Sequence, residues 1–522
     1  MGFGGHAHRA FPNAVTQTTA TFSGNVELTE DGVIEVGLLY STGNNLTNGA
    51  SGVNKQVLTP DSFGNVSFKV EGLQQGTSYN YCYYVCQDGK YTYGTSQGFT
   101  TQSVKVNISV DSVTQTTATL IGNVELTEEG AIEVGVLYST KSNLLSGENN
   151  VFKISLSYSS TIFNYVIEPL TWNSVYYYRY YIYQNGIYVY GDIKTFDTSI
   201  QFITPSNHID LSEFSTSNCY IVSSVGKYCF KICKGNSNEV VGVGPNLPNG
   251  CPCSASVLWE SYGTTETPNV GDLIKEVSYK SGYITFQTAD EFKTGNVLIA
   301  IKDDAGTILW SWHIWFTSEP SPQTYNNDAT VVMMDRNLGA TSNVIGKRET
   351  WGLYYQWGRK DPFLPNDIAS SVTWPIAEYE RKTLEYATMN PMTFIAGIGN
   401  GVASNESWLS NEKTIYDPCP LGWRMPHQFF LGSDEYTCVV SNGGMSFSQK
   451  FASSEVIWYP ISGCISGNRE MQGDGYSGTY WTGQYISNDY GAAVARIFNN
   501  ERVLPDLAAS CETGFSVRCI KE

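Results

Sequence analysis

Residues 15–42 read VTQTTATFSGNVELTEDGVIEVGLLYST, and residues 113–140 read VTQTTATLIGNVELTEEGAIEVGVLYST, an offset of 98 residues. The two units also close alike, YNYCYYVCQDGKYTYGTSQGFTT at 79–101 against YYYRYYIYQNGIYVYGDIKTFDT at 176–198. A period this long marks tandem domains; a solenoid has shorter repeats that borrow their neighbours' core. Whatever one unit folds into, the other must fold into as well. Thr19, Thr21 and Ser23 alternate with Ala20, Phe22 and Gly24, the period-two pattern of a half-buried strand. Asp88-Gly89 and Asn185-Gly186 lie between aromatic runs, where two-residue hairpin turns belong. About seven short strands in about 100 residues is the size of an immunoglobulin-type sandwich.

The units resemble the fibronectin type III-like repeats of Bacteroidetes surface and phage proteins. The resemblance runs over 15–198 and is carried by the TTATxxGNV opening, the GLLYST or GVLYST strand and the closing YxYG…FxT. It implies a fold and no ligand. The cysteines do not repeat, since Cys82 aligns with Arg179 and Cys86 with Tyr183.

Beyond the repeats the chain remains rich in strand formers. TSNCYIVSSVGKYCFKICKGN (216–236), SASVLWE (254–260), GYITFQT (282–288) and GNVLIAIKDDAGTILWSWHIWFT (295–317) come in strand-length pieces. They predict a third β-sandwich over 199–318. SEPSPQTYNND then supplies turn formers, predicting a linker at 319–328. The expected organisation is an N-terminal anchor segment at 1–14, sandwiches at 15–101, 102–198 and 199–318, the linker, and a C-terminal binding domain at 329–522.

That last region carries MMDRNLGA (333–340), GLYYQWGRKDPF (352–363), YDPCPLGWRMP (416–426), GTYW (478–481) and SVRCIKE (516–522). In order and spacing these resemble the FISUMP-like (Fibrobacter major paralogous) domain. The resemblance implies an α+β, C-type-lectin-like fold and binding on exposed surfaces. The chain is expected to leave the core at DPCPLGWRMP and return at SVRC, so that the N- and C-terminal segments of the domain pair, with Trp357, Trp423 and Trp481 in the core. Exposed candidates for ligand binding are Tyr485, Ser487, Asn488, Asp489, Tyr490, Arg496, Phe498, Asn499, Asn500, Arg502 and Asp506, because Tyr, Asn, Ser and Arg suit adaptable recognition surfaces. In lectin-like domains diversified by retroelements the variable positions fall in this stretch.

Other chemistries find less support. A net charge of −18 argues against nucleic acid, which requires a basic stripe, and against anionic membrane surfaces. No run reaches the ~18 apolar residues of a membrane span, so membrane insertion is not expected. The N-terminal MGFGGHAHRAFPNAV has no apolar core of a signal peptide, and export by the usual route is not expected. Five histidines are present, and no HExxH, GxSxG, P-loop or dinucleotide fingerprint. His313, in WSWHIWF, reads as a core residue, and His427 as a pocket candidate. Cys511 and Cys519 invite comparison with formylglycine-generating enzymes, whose motif they do not reproduce. Scattered carboxylates select no glycosidase pair. The reading requires no cofactor. Asp474 and Asn488–Asp489 are the oxygen groups available to a calcium ion, but a carboxylate–Pro–Asn loop is missing. Most of the twelve cysteines are expected as buried thiols; Cys419 with Cys519 is a candidate disulfide pair.

The function expected is non-enzymatic: an adhesion or fibre protein whose sandwiches form a stalk and whose tip binds a cell-surface glycan or envelope protein. A phage virion surface is the expected location, with the N-terminus attached to the particle and the chain homo-oligomeric. A bacterial cell-surface or fimbrial-tip adhesin is the alternative; an enzyme on the C-terminal domain is a third class.

Overall fold

The structure is a computed structural model. It describes residues 11–25, 34–125, 132–156, 162–243, 249–325, 328–365, 368, 374–377, 382–396, 407–408, 412–428, 436–441, 443–449, 456–487, 492–499 and 507–522. Contacts divide the chain into two compact units, Met1–Ile200 and Gln201–Glu522. The protein is nearly all-β.

Each repeat in the first unit is a two-sheet, fibronectin-like sandwich. In the first repeat Phe11–Val15, Ala20–Asn25 and Asn65–Val70 form one sheet. Asn54–Leu58, Ile34–Ser41, Ser78–Gln87 and Lys90–Tyr93 form the other, with Gln97–Thr100 also on Ser78–Gln87. The second repeat repeats this order from Lys105–Val113 to Lys194–Asp197. The alternation read in the sequence is the reason. Ala20 and Phe22 are fully buried, and the Phe22 ring meets Tyr81 at 5.0 Å and Phe99 at 5.5 Å between the sheets. Gly37 and Gly135, the glycines of GLLYST and GVLYST, sit under the rings of Tyr84 and Tyr181, where a Cβ would collide with the ring.

Both repeats close on the same device. Tyr79 Oη accepts the Gln74 N–H at 2.9 Å, and Tyr176 Oη accepts the Thr171 N–H at 2.9 Å. This is the tyrosine corner of immunoglobulin-like sandwiches. The repeats also join through a buried amide: Gln184 Nε2 donates to the Leu73 carbonyl at 2.8 Å while its Oε1 accepts the Gln75 N–H at 3.0 Å. One expectation is corrected at the N-terminus. Phe11–Val15 pairs with Ala20–Asn25, so residues 11–14 belong to the first sandwich; residues 1–10 of the expected anchor lie outside the described residues.

The second unit contains the third sandwich and the C-terminal region together. Two four-stranded sheets span Ile209–Phe316, and the Phe230 ring reaches Trp312 across them at 5.2 Å. The expected linker is instead structural. Pro322–Tyr325 pairs with Asp328–Met334, because a Pro at the start of an edge strand sacrifices no ladder bond. Trp423–Arg424 and Asp328–Met334 both pair with Ile520–Lys521, and Cys419 is disulfide-bonded to Cys519. The N- and C-terminal segments of the region thus pair, as Asp328–Met334 with Ile520–Lys521.

The expected α+β character of 329–522 is not. Among the described residues its helices are Leu384–Met389 and a single 3-10 turn, Arg348–Thr350. The region is built on a four-stranded sheet, a seven-stranded sheet reaching from Tyr354–Gln356 to Leu507–Ser510, and the three strands Tyr436–Ser441, Gly444–Gln449 and Val456–Pro460. Aromatic and β-branched residues punctuated by glycine turns favour strand over helix.

A buried polar seam fastens the third sandwich to this region. Asn218 Nδ2 donates to the carbonyls of Ile415 (2.7 Å) and Asp417 (3.0 Å), while its Oδ1 accepts the Trp310 indole N–H (3.1 Å). Lys360 Nζ donates to Asp361 Oδ1 (2.7 Å), Ser311 Oγ (2.6 Å) and the Ser311 carbonyl (2.9 Å). Asn296 Nδ2 donates to the Gly339 carbonyl (2.9 Å), and the Trp315 indole to that of Ala340 (3.0 Å).

The tyrosine corners are testable. Tyr79→Phe and Tyr176→Phe each remove the acceptor of a backbone N–H, and each is expected to cost its own repeat about 1 kcal/mol. Hydrogen-exchange mass spectrometry of the full chain should show reduced protection in Ser78–Gln87 or Val175–Gln184, respectively, with residues 201–522 unchanged.

Candidate binding surface of the C-terminal region

Six charged residues of the C-terminal motifs, Arg336, Arg359, Lys360, Asp361, Asp417 and Arg518, are buried. Arg359 is 2% exposed. Its guanidinium donates to Gln356 Oε1 (2.9 Å) and to the carbonyls of Thr393 (2.7 Å) and Asn390 (3.2 Å), the latter just past the helix Leu384–Met389. Burial lowers its pKa to about 10. Arg518 donates from Nε and Nη2 to Asn337 Oδ1 (3.1 and 3.0 Å) and lies 3.6 Å over the Tyr459 ring, joining DRNLGA to SVRC. Asp417 accepts the N–H groups of Cys419 (2.8 Å) and Met425 (2.9 Å), and burial pushes its pKa up to about 6. A buried charge is costly unless its bonds are satisfied, and apart from Arg359 Nε the charged atoms of Arg359, Asp417 and Arg518 have partners. These residues are a scaffold and make no contact surface.

What reaches the surface is different chemistry. The strand Ser477–Ser487 runs from buried Tyr480 and Trp481 to its outer end. Its pairing with Ala492–Asn499 slips between Trp481 and Tyr485 and again before Ser487, an irregularity of the kind that re-aims side chains. Gln484 and Ile486 are exposed, Ile486 by 52%, and Tyr485 is half-buried. The Tyr485 ring stacks on Trp357 at 5.0 Å. Trp357 is itself fixed: its indole donates to the Thr482 carbonyl at 2.9 Å and its other neighbour is Trp408 at 5.5 Å. Gly483 N–H donates to the Pro426 carbonyl at 2.8 Å, bringing the exposed His427 and Gln428 beside this strand end. The result is an exposed amide, aliphatic and imidazole set beside a tyrosine that is stacked on Trp357.

No family model matches this chain, and no curated protein matches it. Among solved structures it is similar to the two-domain fibronectin type III segment of chicken tenascin, with 16% identity over 36% of this chain and 99% of that one, at a TM-score of 0.18. It is also similar to the FN1–FN3 domains of chicken CNTN1, with 10% identity over 37% and 67%, at a TM-score of 0.15. Likenesses this slight carry no argument, and the fibronectin-like pattern rests on the strand order and tyrosine corners above.

Of the sequence-predicted ligand residues, Tyr485 alone has a described side chain. Ser487 closes one strand, and Arg496, Phe498 and Asn499 lie in the next, opposite Tyr480, Gly478 and Ser477; of these four only the backbone is described. They belong to a strand ladder. Asn488, Asp489, Tyr490, Asn500, Arg502 and Asp506 lie outside the described residues. Sequence reasoning missed Gln484, Ile486 and Gln428. Gln484 and Ile486 were legible as the polar–aromatic–apolar run after buried GTYW. Gln428 had no local signal, since a single backbone bond from Gly483 brings it here.

Trp357, Trp423 and Trp481 are buried as expected, and so is His313. Asp474 is exposed, and among the described residues no group of three or more His, Cys, Asp or Glu side chains gathers at one point. Cys511 is buried with its thiol pKa pushed far up, and Cys519 is in the disulfide. Neither is a ready thiolate nucleophile.

His313 gives this unit a pH signature. Its Nε2 donates to Asn296 Oδ1 (2.8 Å), leaving Nδ1 to accept from the Cys219 thiol (3.3 Å). Burial pushes its pKa down to about 3 from the ordinary 6.5. The folded protein therefore binds the proton less readily than the unfolded chain. The neutral imidazole's contribution is full above about pH 6.5 and is lost as pH falls toward 3. Asp417, shifted upward, acts oppositely, so a comparison of variants isolates the histidine. The stability advantage of wild type over His313→Gln is expected to shrink by up to about 1.4 kcal/mol per pH unit between about pH 6 and 4. Denaturant unfolding followed by tryptophan fluorescence measures it, since of the twelve tryptophans only Trp172 lies outside residues 201–522.

Proposed function

We propose that this protein is a non-enzymatic adhesion or fibre protein: fibronectin-like sandwiches act as the stalk, and the C-terminal surface around Tyr485 contacts a cell-surface glycan or envelope receptor. One observation carries the reading. Arg359, Lys360, Asp361, Asp417 and Arg518 of the motifs are consumed in buried bonds, while Gln484, Ile486, His427 and Gln428 are exposed beside the half-buried Tyr485, which stacks on Trp357. Tyrosine offers rigid amphipathic area at low entropic cost, and amides adapt their hydrogen bonds to a polar ligand. The FISUMP-like motifs favour the same tip role, and many copies on one particle would strengthen weak single sites.

A phage virion surface is the setting proposed. A bacterial surface or fimbrial-tip adhesin uses the same architecture, and an intact N-terminus on purified particles separates the two. The burial of Cys511 and the disulfide of Cys519 weigh against an oxidase of the formylglycine-generating type.

Full-length protein is expected to bind gut Bacteroidetes cells or members of a glycan panel. Ile486→Asp and Tyr485→Ala should each weaken that binding at least about tenfold, the loss typical of a central contact. Ile486 is exposed, so its substitution leaves the fold intact. Binding untouched by both substitutions would move the contact elsewhere and overturn this assignment.

A further inference from the structure

Among the described residues nine cysteines are free thiols, and Cys253 alone of these is exposed. Cys251, two residues before it, is half-buried. The pair stands at the entry to Ser254–Ser261, the terminal strand of its sheet. The chain fixes it in place. Pro252, between the two, is buried, and its ring holds one backbone angle. The Cys253 N–H donates to the Lys302 carbonyl at 2.8 Å. Two residues span at most about 7 Å, so both thiols are within reach of one small ion. Cys253 Sγ lies 3.2 Å from the Cys251 carbonyl, and Cys251 Sγ 4.0 Å from that of Pro252. A thiol is a weak donor, and a metal bond readily replaces such contacts.

The surroundings favour a cation. The turn Asp303–Thr307 follows Lys302 directly and closes through the Asp303 and Thr307 backbones. Burial, then the neighbouring Cys253, then Asp304 push the Cys251 pKa up to about 11. Burial and then Asp304 raise that of Cys253 as well. The empty pair therefore keeps its protons and is no thiolate nucleophile. A bound metal displaces those protons and gains from the same carboxylates that held them. Thiolates are soft ligands. Zinc takes four ligands, and among the described residues no group of three or more His, Cys, Asp or Glu side chains gathers to supply them. Monovalent copper is soft and is satisfied by two sulfurs. We propose that Cys251 and Cys253 bind one monovalent copper ion, each thiol releasing its proton and each sulfur forming one bond to the metal. The inference does not rest on the adhesion reading.

Anaerobic titration of the full chain with monovalent copper, in competition with a coloured chelator of that ion, tests it. Wild type is expected to take one copper ion per chain, to show sulfur neighbours only by X-ray absorption, and to take no zinc. Cys251→Ser and Cys253→Ser should each weaken copper binding by more than the roughly 10–100-fold that loss of an outer-shell partner costs. Cys464→Ser, which removes a half-buried thiol outside the pair, should leave binding unchanged. Cys253 is exposed, so its substitution should not alter the circular dichroism spectrum. A wild type that takes no copper, a site that takes zinc equally well, or copper binding indifferent to Cys253→Ser overturns the proposal.

Discussion

The second unit depends on a seam of buried hydrogen bonds between residues 209–316 and 329–522. An ammonium and a carboxylate at Lys360 and Asp361 are almost wholly withdrawn from water and share Ser311 on the opposite sheet. Their desolvation costs more than their attraction returns unless every remaining lone pair and proton is satisfied. Ser311 supplies that satisfaction from the third sandwich. Asn218 and Asn296 act likewise, each closing carbonyls of the C-terminal region with its amide nitrogen and an indole or imidazole of its own sandwich with its oxygen. Neither side could present these groups alone without leaving buried polar atoms unpaired.

This explains why the part-by-part reading of the sequence was too fine at residues 319–328. Pro, Ser and Asn mark a turn, but nothing local reveals that Asn218 will meet Asp417. The repeats were easier, because duplication doubles every signal: alternating Thr and Ala, the DG and NG hairpins and the glycine before LYST each occur twice. The tyrosine corners were also written in the sequence, as a leucine six residues before Tyr79 and before Tyr176. The candidate surface was only partly legible. Arg496 and Phe498 look exposed by composition, and only strand pairing places them in a ladder. The arginines and lysine of GRKDPF and SVRC resemble a recognition surface by type, and burial turns them into scaffold.

Several charged side chains of 329–522 are spent internally, where they fix the relation of loops to sheets. The proposed recognition surface rests instead on the exposed groups around Tyr485, whose ring is held by Trp357. In the first unit the duplicated sandwiches preserve their cores and tyrosine corners.

The central claim is that residues 201–522 form one cooperative unit held by the seam. Native-state hydrogen exchange of the full chain tests it directly, by comparing Gly295–Lys302 and Ile308–Phe316 with Tyr354–Gln356 and Gly514–Ser516. The slowest amides in all four segments are expected to open with one common free energy and one denaturant dependence. A C-terminal region that opens while the third sandwich stays protected would contradict it.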